Sequence, residues 1–263
     1  MKSFTKVLGG LVAALALTIP AQAATGGTPA LTLADLLGGR SITAGDKLFD
    51  NWTQLSYGSS FGKIFNAANI TVTSLDDGAD NPGPGLSFSV ANGELSVLAG
   101  DGIFDYIDLM FGFSVTPASG KQIKDVSMAN FYAFYGWSST AGAGPEDAGS
   151  YIKEYVDSTK MIDPLTDTAD LGELDVDFSY LSDPNGDVAT NKTTDAANFA
   201  PQNKIWVTKN IIVWASALTD NAGVTGFDQR FSQQDSNVPE PGSLALAALA
   251  LAGLGAASRR QRS

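Results

Sequence analysis

Along most of this chain, apolar residues fall at every second position. The clearest stretch is 104–116. There Ile107, Leu109, Phe111, Phe113 and Val115 share one side, and Tyr106, Asp108, Gly112 and Ser114 share the other with Met110. A period of two predicts a strand with one buried and one wet face. Residues 171–181 alternate as cleanly, with Leu174, Val176, Phe178 and Tyr180 against Glu173, Asp175, Asp177 and Ser179. Residues 204–216 are apolar on both sides, which predicts a central strand. Further strands are expected at 46–57, 69–75, 86–90, 94–98, 123–135, 151–156 and 224–231, the one at 151–156 being weak. Asn92-Gly93 is a hairpin turn signal between two of them. Residues 31–37, stopped by Gly38-Gly39, read as a short helix, and 76–85, 136–149 and 182–198 read as polar loops.

Ten or so short strands, little helical periodicity and no internal repeat predict an all-β fold. The expected architecture is an antiparallel β-sandwich, with a jelly-roll arrangement compatible with the pattern.

The two ends follow different rules. Lys2 and Lys6 precede an apolar run at 7–19 and the small-residue site Ala21-Gln22-Ala23. This is the layout of a secretory signal peptide, cut by signal peptidase between Ala23 and Ala24. At the other end, 244–257 contains Leu, Ala and Gly alone. It is shorter than the roughly 20 residues of an ordinary span, but Arg259, Arg260 and Arg262 follow it as a basic stop. Pro239 and Pro241 hold the residues ahead of it extended. The expected plan is a signal-peptide helix at 1–23, a sandwich at 24–231 and a linker at 232–237. A sorting segment follows at 238–263, made of a motif at 239–241, a short transmembrane helix at 243–258 and a basic tail at 259–263.

Val238-Pro239-Glu240-Pro241, the apolar run and Arg259-Arg260 together resemble the PEP-CTERM sorting signal of Gram-negative bacteria that make exopolysaccharide. The resemblance implies recognition by exosortase, a membrane-embedded cysteine transpeptidase, with cleavage near Pro239-Glu240-Pro241. It also implies a transient anchor in the inner membrane and delivery to the cell surface or extracellular matrix. In the body, Thr32-Leu33-Ala34-Asp35-Leu36, Gly45-Asp46-Lys47-Leu48-Phe49, Val207-Thr208-Lys209-Asn210-Ile211 and Phe227-Asp228-Gln229-Arg230-Phe231-Ser232-Gln233 resemble a recurrent group of PEP-CTERM surface proteins. That group brings no activity with it.

Composition narrows the chemistry. The chain carries 28 acidic against 16 basic residues, a net charge of −12. Removing the two terminal signals takes away five of the basic residues but only Glu240 among the acids, so the exported body is more acidic still. Such a surface repels nucleic acid and anionic headgroups. Neutral polysaccharide, divalent cations and basic partners remain. There is no cysteine and no histidine. Disulfides, most transition-metal sites and the Ser-His-Asp and Cys-His nucleophile systems are thereby excluded. Any bound metal would be a hard, oxygen-ligated ion such as Ca²⁺.

Asp183, Asn185 and Asp187 have the alternate spacing of a calcium loop, although Gly186 and Thr194 do not fit an EF-hand. Glu173, Asp175 and Asp177 share a strand face upstream, and Asp76, Asp77, Asp80 and Asn81 form a second acidic turn. A solvated strand face and ordinary Asx turns are the simpler explanation of both groups, and the second turn is the weaker candidate. Carboxylates are plentiful enough for a hydrolase pair, but no motif selects one. Of Trp52, Trp137, Trp206 and Trp214, Trp137 lies beside the Gly-rich loop and is the candidate for stacking on a sugar. The other three are expected in the core. The body is therefore expected to be non-enzymatic, with exopolysaccharide binding as the alternative and a carboxylate-based hydrolase as the third reading.

Overall fold

Alternation of small apolar and polar side chains, with Asn and Gly at the turns, leaves the backbone little choice but strands that bury one face. In the structure, a computed structural model that describes residues 29–76, 78–98, 104–136, 147–216 and 220–236, these strands form two antiparallel sheets. In chain order they are β1 (Leu31–Thr32), β2 (Ile42–Ala44), β3 (Lys47–Ser59), β4 (Ile70–Leu75) and β5 (Gly85–Val90). Next come β6 (Ser96–Leu98), β7 (Asp105–Pro117), β8 (Lys121–Gly136), β9 (Asp147–Asp157) and β10 (Gly172–Leu181). The chain continues through β11 (Val188–Lys192), β12 (Asp195–Gln202), β13 (Ile205–Ala215), β14 (Asn221–Arg230) and β15 (Gln233–Asp235).

The first sheet runs β1-β4-β5-β14-β8-β12, with β15 on β8 and β6 on β14. The second runs β11-β10-β9-β13-β7-β3-β2. The expected sandwich is present. The signal peptide, the membrane segment, Ala23, Ala24, Pro239, Glu240, Pro241, Arg259, Arg260 and Trp137 lie outside the described residues.

The inner faces are aromatic. Trp52 stacks on Phe113 with ring centroids 4.4 Å apart, and Phe88 stacks on Phe227 at 4.5 Å. Pairs of this kind add about 0.5–1.5 kcal/mol each beyond their buried area. The short helix α1 (Leu33–Leu37) is held by a capping box. Thr32 Oγ1 accepts from the Asp35 N–H at 3.1 Å, and Asp35 accepts from the Thr32 N–H at 3.0 Å. Leu33 and Leu36 plug the end of the core.

Several elements depart from the sequence pattern. Asn92 and Gly93 do turn the chain with positive φ. The strands on either side do not pair with each other, because β5 and β6 lie end to end along β14. The stretch read as a polar loop at 182–198 contains β11 and the start of β12. Both are polar edge strands, whose composition resembles a loop because one rim meets water. The weak strand at 151–156 is the core of β9, one of the central strands. The expected linker begins with Ser232 and Gln233 buried, and β15 extends the body to Asp235.

A pair of charges sits in the middle of the core. Lys209 on β13 and Glu154 on β9 are directly opposed in register, fully buried and ion-paired. Gln229, reaching across from β14 in the other sheet, donates from Nε2 to Glu154 Oε1 at 2.6 Å. Lys209 Nζ also lies 5.0 Å from the centroid of the Phe227 ring and 3.6 Å from Met128 Sδ. Burial pushes the Glu154 carboxyl up and the Lys209 ammonium down, and each charge partly offsets the shift of the other. Breaking such a pair strands a desolvated charge at a cost of about 3–5 kcal/mol, whereas replacing both members by apolar side chains is often neutral. Glu154→Leu alone is therefore expected to lower the urea midpoint sharply. The double variant Glu154→Leu/Lys209→Met recovers most of that loss in the same denaturation experiment.

Candidate functional site

The outer face of the second sheet is only partly wet. The residues between β9 and β10 fold back over it. The Ile162 N–H donates to Thr208 Oγ1 at 3.1 Å, and the Thr208 hydroxyl donates to the Ile162 carbonyl at 3.2 Å. Met161 lies over Gly112, where a Cβ would come within 2.9 Å of its Sδ and 2.7 Å of the Val207 carbonyl oxygen. The backbone contact is the one that requires glycine here. Met110, Gly112 and Ser114, expected on the wet side of their strand, are all buried; the loop covers Gly112, and Asp50 and Asn51 of β3 meet Ser114.

Beyond this wall the same face carries the exposed Tyr106 and the half-buried Ile212 and Trp214. Register places Asp177, Tyr151, Ile212 and Asp108 in one row across β10, β9, β13 and β7. Lys153, Asn210 and Met110 lie in the row toward the wall, and Trp214 and Tyr106 in the row away from it. Tyr151 and Trp214 meet edge to face at 6.1 Å. Asp108, Tyr151, Asp177, Asn210, Ile212 and Trp214 are all half-buried.

Three acceptors on this face have no donor. Oδ1 of Asp108, of Asp177 and of Asn210 is shielded and accepts no hydrogen bond. Buried acceptors are nearly always paired, so three on one face require an explanation. Burial pushes the Asp108 carboxyl above the usual carboxylate range. It does the same to Asp177, with Ser179 donating against the shift. It also raises the Tyr151 hydroxyl, and the nearby Asp108 carboxylate adds to the effect. The face thus combines apolar rings with unsatisfied hydrogen-bond acceptors in a low-dielectric shelf, a combination suited to binding a neutral polyhydroxyl ligand.

The acidic candidates fall elsewhere or are already engaged. Glu173 pairs with Lys153 at 2.8 Å, and Asp175 pairs with Lys192 at 2.8 Å. Asp177, on the same strand face, feels the Lys192 ammonium only at longer range. In the 183–187 turn, Asp183 Oδ1 accepts from the Asn185 N–H at 2.7 Å and from its side-chain amide at 3.0 Å. Asn185 thus presents donors to Asp183. Asp187 takes the Tyr180 hydroxyl, whose pKa it pushes up to about 12. Among the described residues, no three His, Cys, Asp or Glu side chains are grouped to hold a metal ion. Of the other tryptophans, Trp52 is in the core, and Trp206 lies under the Lys204 ammonium at 4.4 Å.

Away from this face, a concavity of about 400 Å³ lies at the β7–β8 end, lined by Asp46, Asp76, Asp80, Lys121 and Gln233. The turn acids Asp76 and Asp80 thus face a cleft, but lysines and Gln233 meet them there. Asp80 is bound by Lys121 at 3.3 Å and by Gln233 Nε2 at 2.7 Å.

The sequence pattern placed Asp108 on a wet face but did not single it out. It also counted Trp214 as core and left Tyr151 on a weak strand. The available signal was that 151, 212 and 214 are out of phase with the core-facing residues Ile152, Ile211 and Val213.

Comparison with known proteins agrees with the tail. A PEP-CTERM protein-sorting motif matches residues 237–261. The motif implies an exported, cell-surface protein processed by exosortase. No curated protein matches the sequence. Among solved structures, the chain is similar to the enzymatically active domain of tailspike protein 4 of bacteriophage CBA120. The identity is 12% over 69% of this chain and 19% of that one, with a TM-score of 0.22. It is also similar to TmCBM61 in complex with β-1,4-galactotriose, at 11% identity over 71% of this chain and 89% of that one, with a TM-score of 0.21. The chain spans about a fifth of the length of the tailspike domain. At these scores neither likeness bears on function.

Asp108 gives a direct test of the shelf. Its carboxyl is raised in the folded state, so its ionised form destabilises the fold above that raised pKa. The penalty fades as pH falls through the folded pKa and is gone below the ordinary value of 3.8. Asp108→Asn is therefore expected to melt higher than the parent at pH 7. Melting curves across pH should show the gap closing as the solution is acidified.

Proposed function

We propose that this chain is a non-enzymatic surface or extracellular-matrix protein, and that the outer shelf of its second sheet binds a neutral exopolysaccharide. Exosortase cuts near Pro239-Glu240-Pro241 after the apolar segment 243–258, stopped by Arg259 and Arg260, has held the protein transiently in the inner membrane. The signal peptide has by then been removed between Ala23 and Ala24. The sorting half of this reading rests on the motif at 237–261.

The binding half rests on one observation, the three donorless acceptors of Asp108, Asp177 and Asn210 set around Tyr151 and Trp214. Sugar hydroxyls supply donors, and the C–H faces of a pyranose suit aromatic rings. The acidic body disfavours an anionic polymer, which is why the occupant is assigned as neutral.

A hydrolase is the weaker reading. The two carboxyls raised by burial, Asp108 and Asp177, are three inter-strand steps apart, about 14 Å by ordinary strand spacing. Glycosidase pairs span about 5–10 Å.

Two experiments test the proposal. Trp214→Ala combined with Asp108→Ala is expected to weaken binding to neutral glycans on an array by at least about tenfold, ~1.4 kcal/mol, measured at a temperature where circular dichroism shows both proteins folded. Binding that survives both changes contradicts the shelf assignment. In cells, Pro239→Ala/Pro241→Ala is expected to leave the arginine-bearing C-terminus on the protein. Mass spectrometry of the mature C-terminus reads this directly, and normal cleavage of the variant contradicts the sorting assignment.

A further inference from the structure

Lys47 opens β3 with its ammonium fully buried, in phase with the core residue Phe49. Its Nζ donates to Oε1 of Gln233, which lies 186 positions later on β15 and is itself buried. Carboxylates flank both partners. Asp46 Oδ1 lies 3.2 Å from Nζ, and Asp80 Oδ1 accepts from Gln233 Nε2 at 2.7 Å. Gln233 also donates its backbone N–H to the Asp80 carbonyl at 3.1 Å, so the amide is fixed at both ends. A nucleophile, an acyl donor and two proton-handling groups are thus held together in one place. The amide also opens onto the cleft described above, which gives a leaving group a way out.

We propose that Lys47 and Gln233 join autocatalytically in an intramolecular amide between Nζ and Cδ, with release of ammonium. The Lys47 ammonium yields a proton to Asp46, and the free amine adds to Cδ of Gln233, forming the Nζ–Cδ bond. The carbonyl re-forms as the Cδ–Nε2 bond breaks. The departing nitrogen takes up the protons lost by Nζ, with Asp80 stabilising its positive charge. An alkylammonium and a primary amide become a secondary amide and an ammonium ion, with no change of oxidation state and no co-reactant. Burial pushes the Lys47 ammonium down, which favours the amine form that attacks.

The bond would tie the start of β3 to β15, the last strand before the sorting segment. It would join the two sheets in an exported chain that has no cysteine. Such a link constrains the unfolded chain as a disulfide does.

The test is intact mass and peptide mapping of the purified full-length protein. The expected mass lies about 17 Da, one ammonia, below the sequence value. Digestion should yield a branched peptide containing both Lys47 and Gln233. Lys47→Arg and Gln233→Ala should each restore the full mass. Mapping is essential, since a succinimide at Asn92-Gly93 loses the same mass. An unshifted mass, a loss mapped to any other pair, or Gln233 recovered as free Gln or Glu overturns the proposal. This result comes from the parent protein and does not depend on whether either variant folds.

Discussion

The contact between Lys209 and Glu154 sets the terms for the rest of the fold. Two opposite charges at the centre of an apolar sandwich cost more to desolvate than most ion pairs return. What they impose is register. Lys209 faces Glu154 directly across β13 and β9, and Gln229 reaches the same carboxylate from the opposing sheet. A slip of one residue in β13 would set Lys209 opposite Lys153 or Tyr155 and turn its core-facing side chains outward. One polar contact thereby ties three strands and two sheets into a single alignment. The Phe88, Phe227 and Met128 side chains close around it and exclude water.

That alignment also produces the shelf. With the even-numbered inner positions of β9 and the odd-numbered ones of β13 committed to the core, Tyr151, Asn210, Ile212 and Trp214 must point outward. The return loop then covers one end of that face through Met161 and Ile162. The donorless oxygens of Asp108, Asp177 and Asn210 are grouped on this one face, and its packing alone does not justify them. Carboxyls held above their usual range at a cost to the fold are more often found where a protein meets a ligand than where it merely holds itself together.

Strands with a strong apolar face were legible from residue order. β7, β8, β10 and β13 lie where period two puts them, because a face buried on a common core must alternate. β11, β12 and β15 were not legible, since an edge strand earns its place through backbone hydrogen bonds, and polar side chains do not mark them. Pairing was also hidden. Asn92-Gly93 specifies a turn, but the neighbour each flanking strand meets is decided by β14, more than a hundred residues away. The buried charges had a readable signal that hydrophobicity masks. Glu154 is in phase with Ile152 and Val156, and Lys209 with Val207 and Ile211, so each marks a charge on a core face. Lys47 with Gln233, and Gln229 with Glu154, make buried polar contacts that cross from one sheet to the other.

Hydrogen exchange followed by mass spectrometry tests the central claim most directly. If the Lys209–Glu154–Gln229 contact is the hub, amides of β9, β13 and β14 around residues 154, 209 and 229 will be the slowest in the protein and will open only with global unfolding. In Glu154→Leu the same amides will lose that protection first. Exchange at these positions as fast as in the edge strands β11 and β12, or protection unchanged in the variant, would contradict the account.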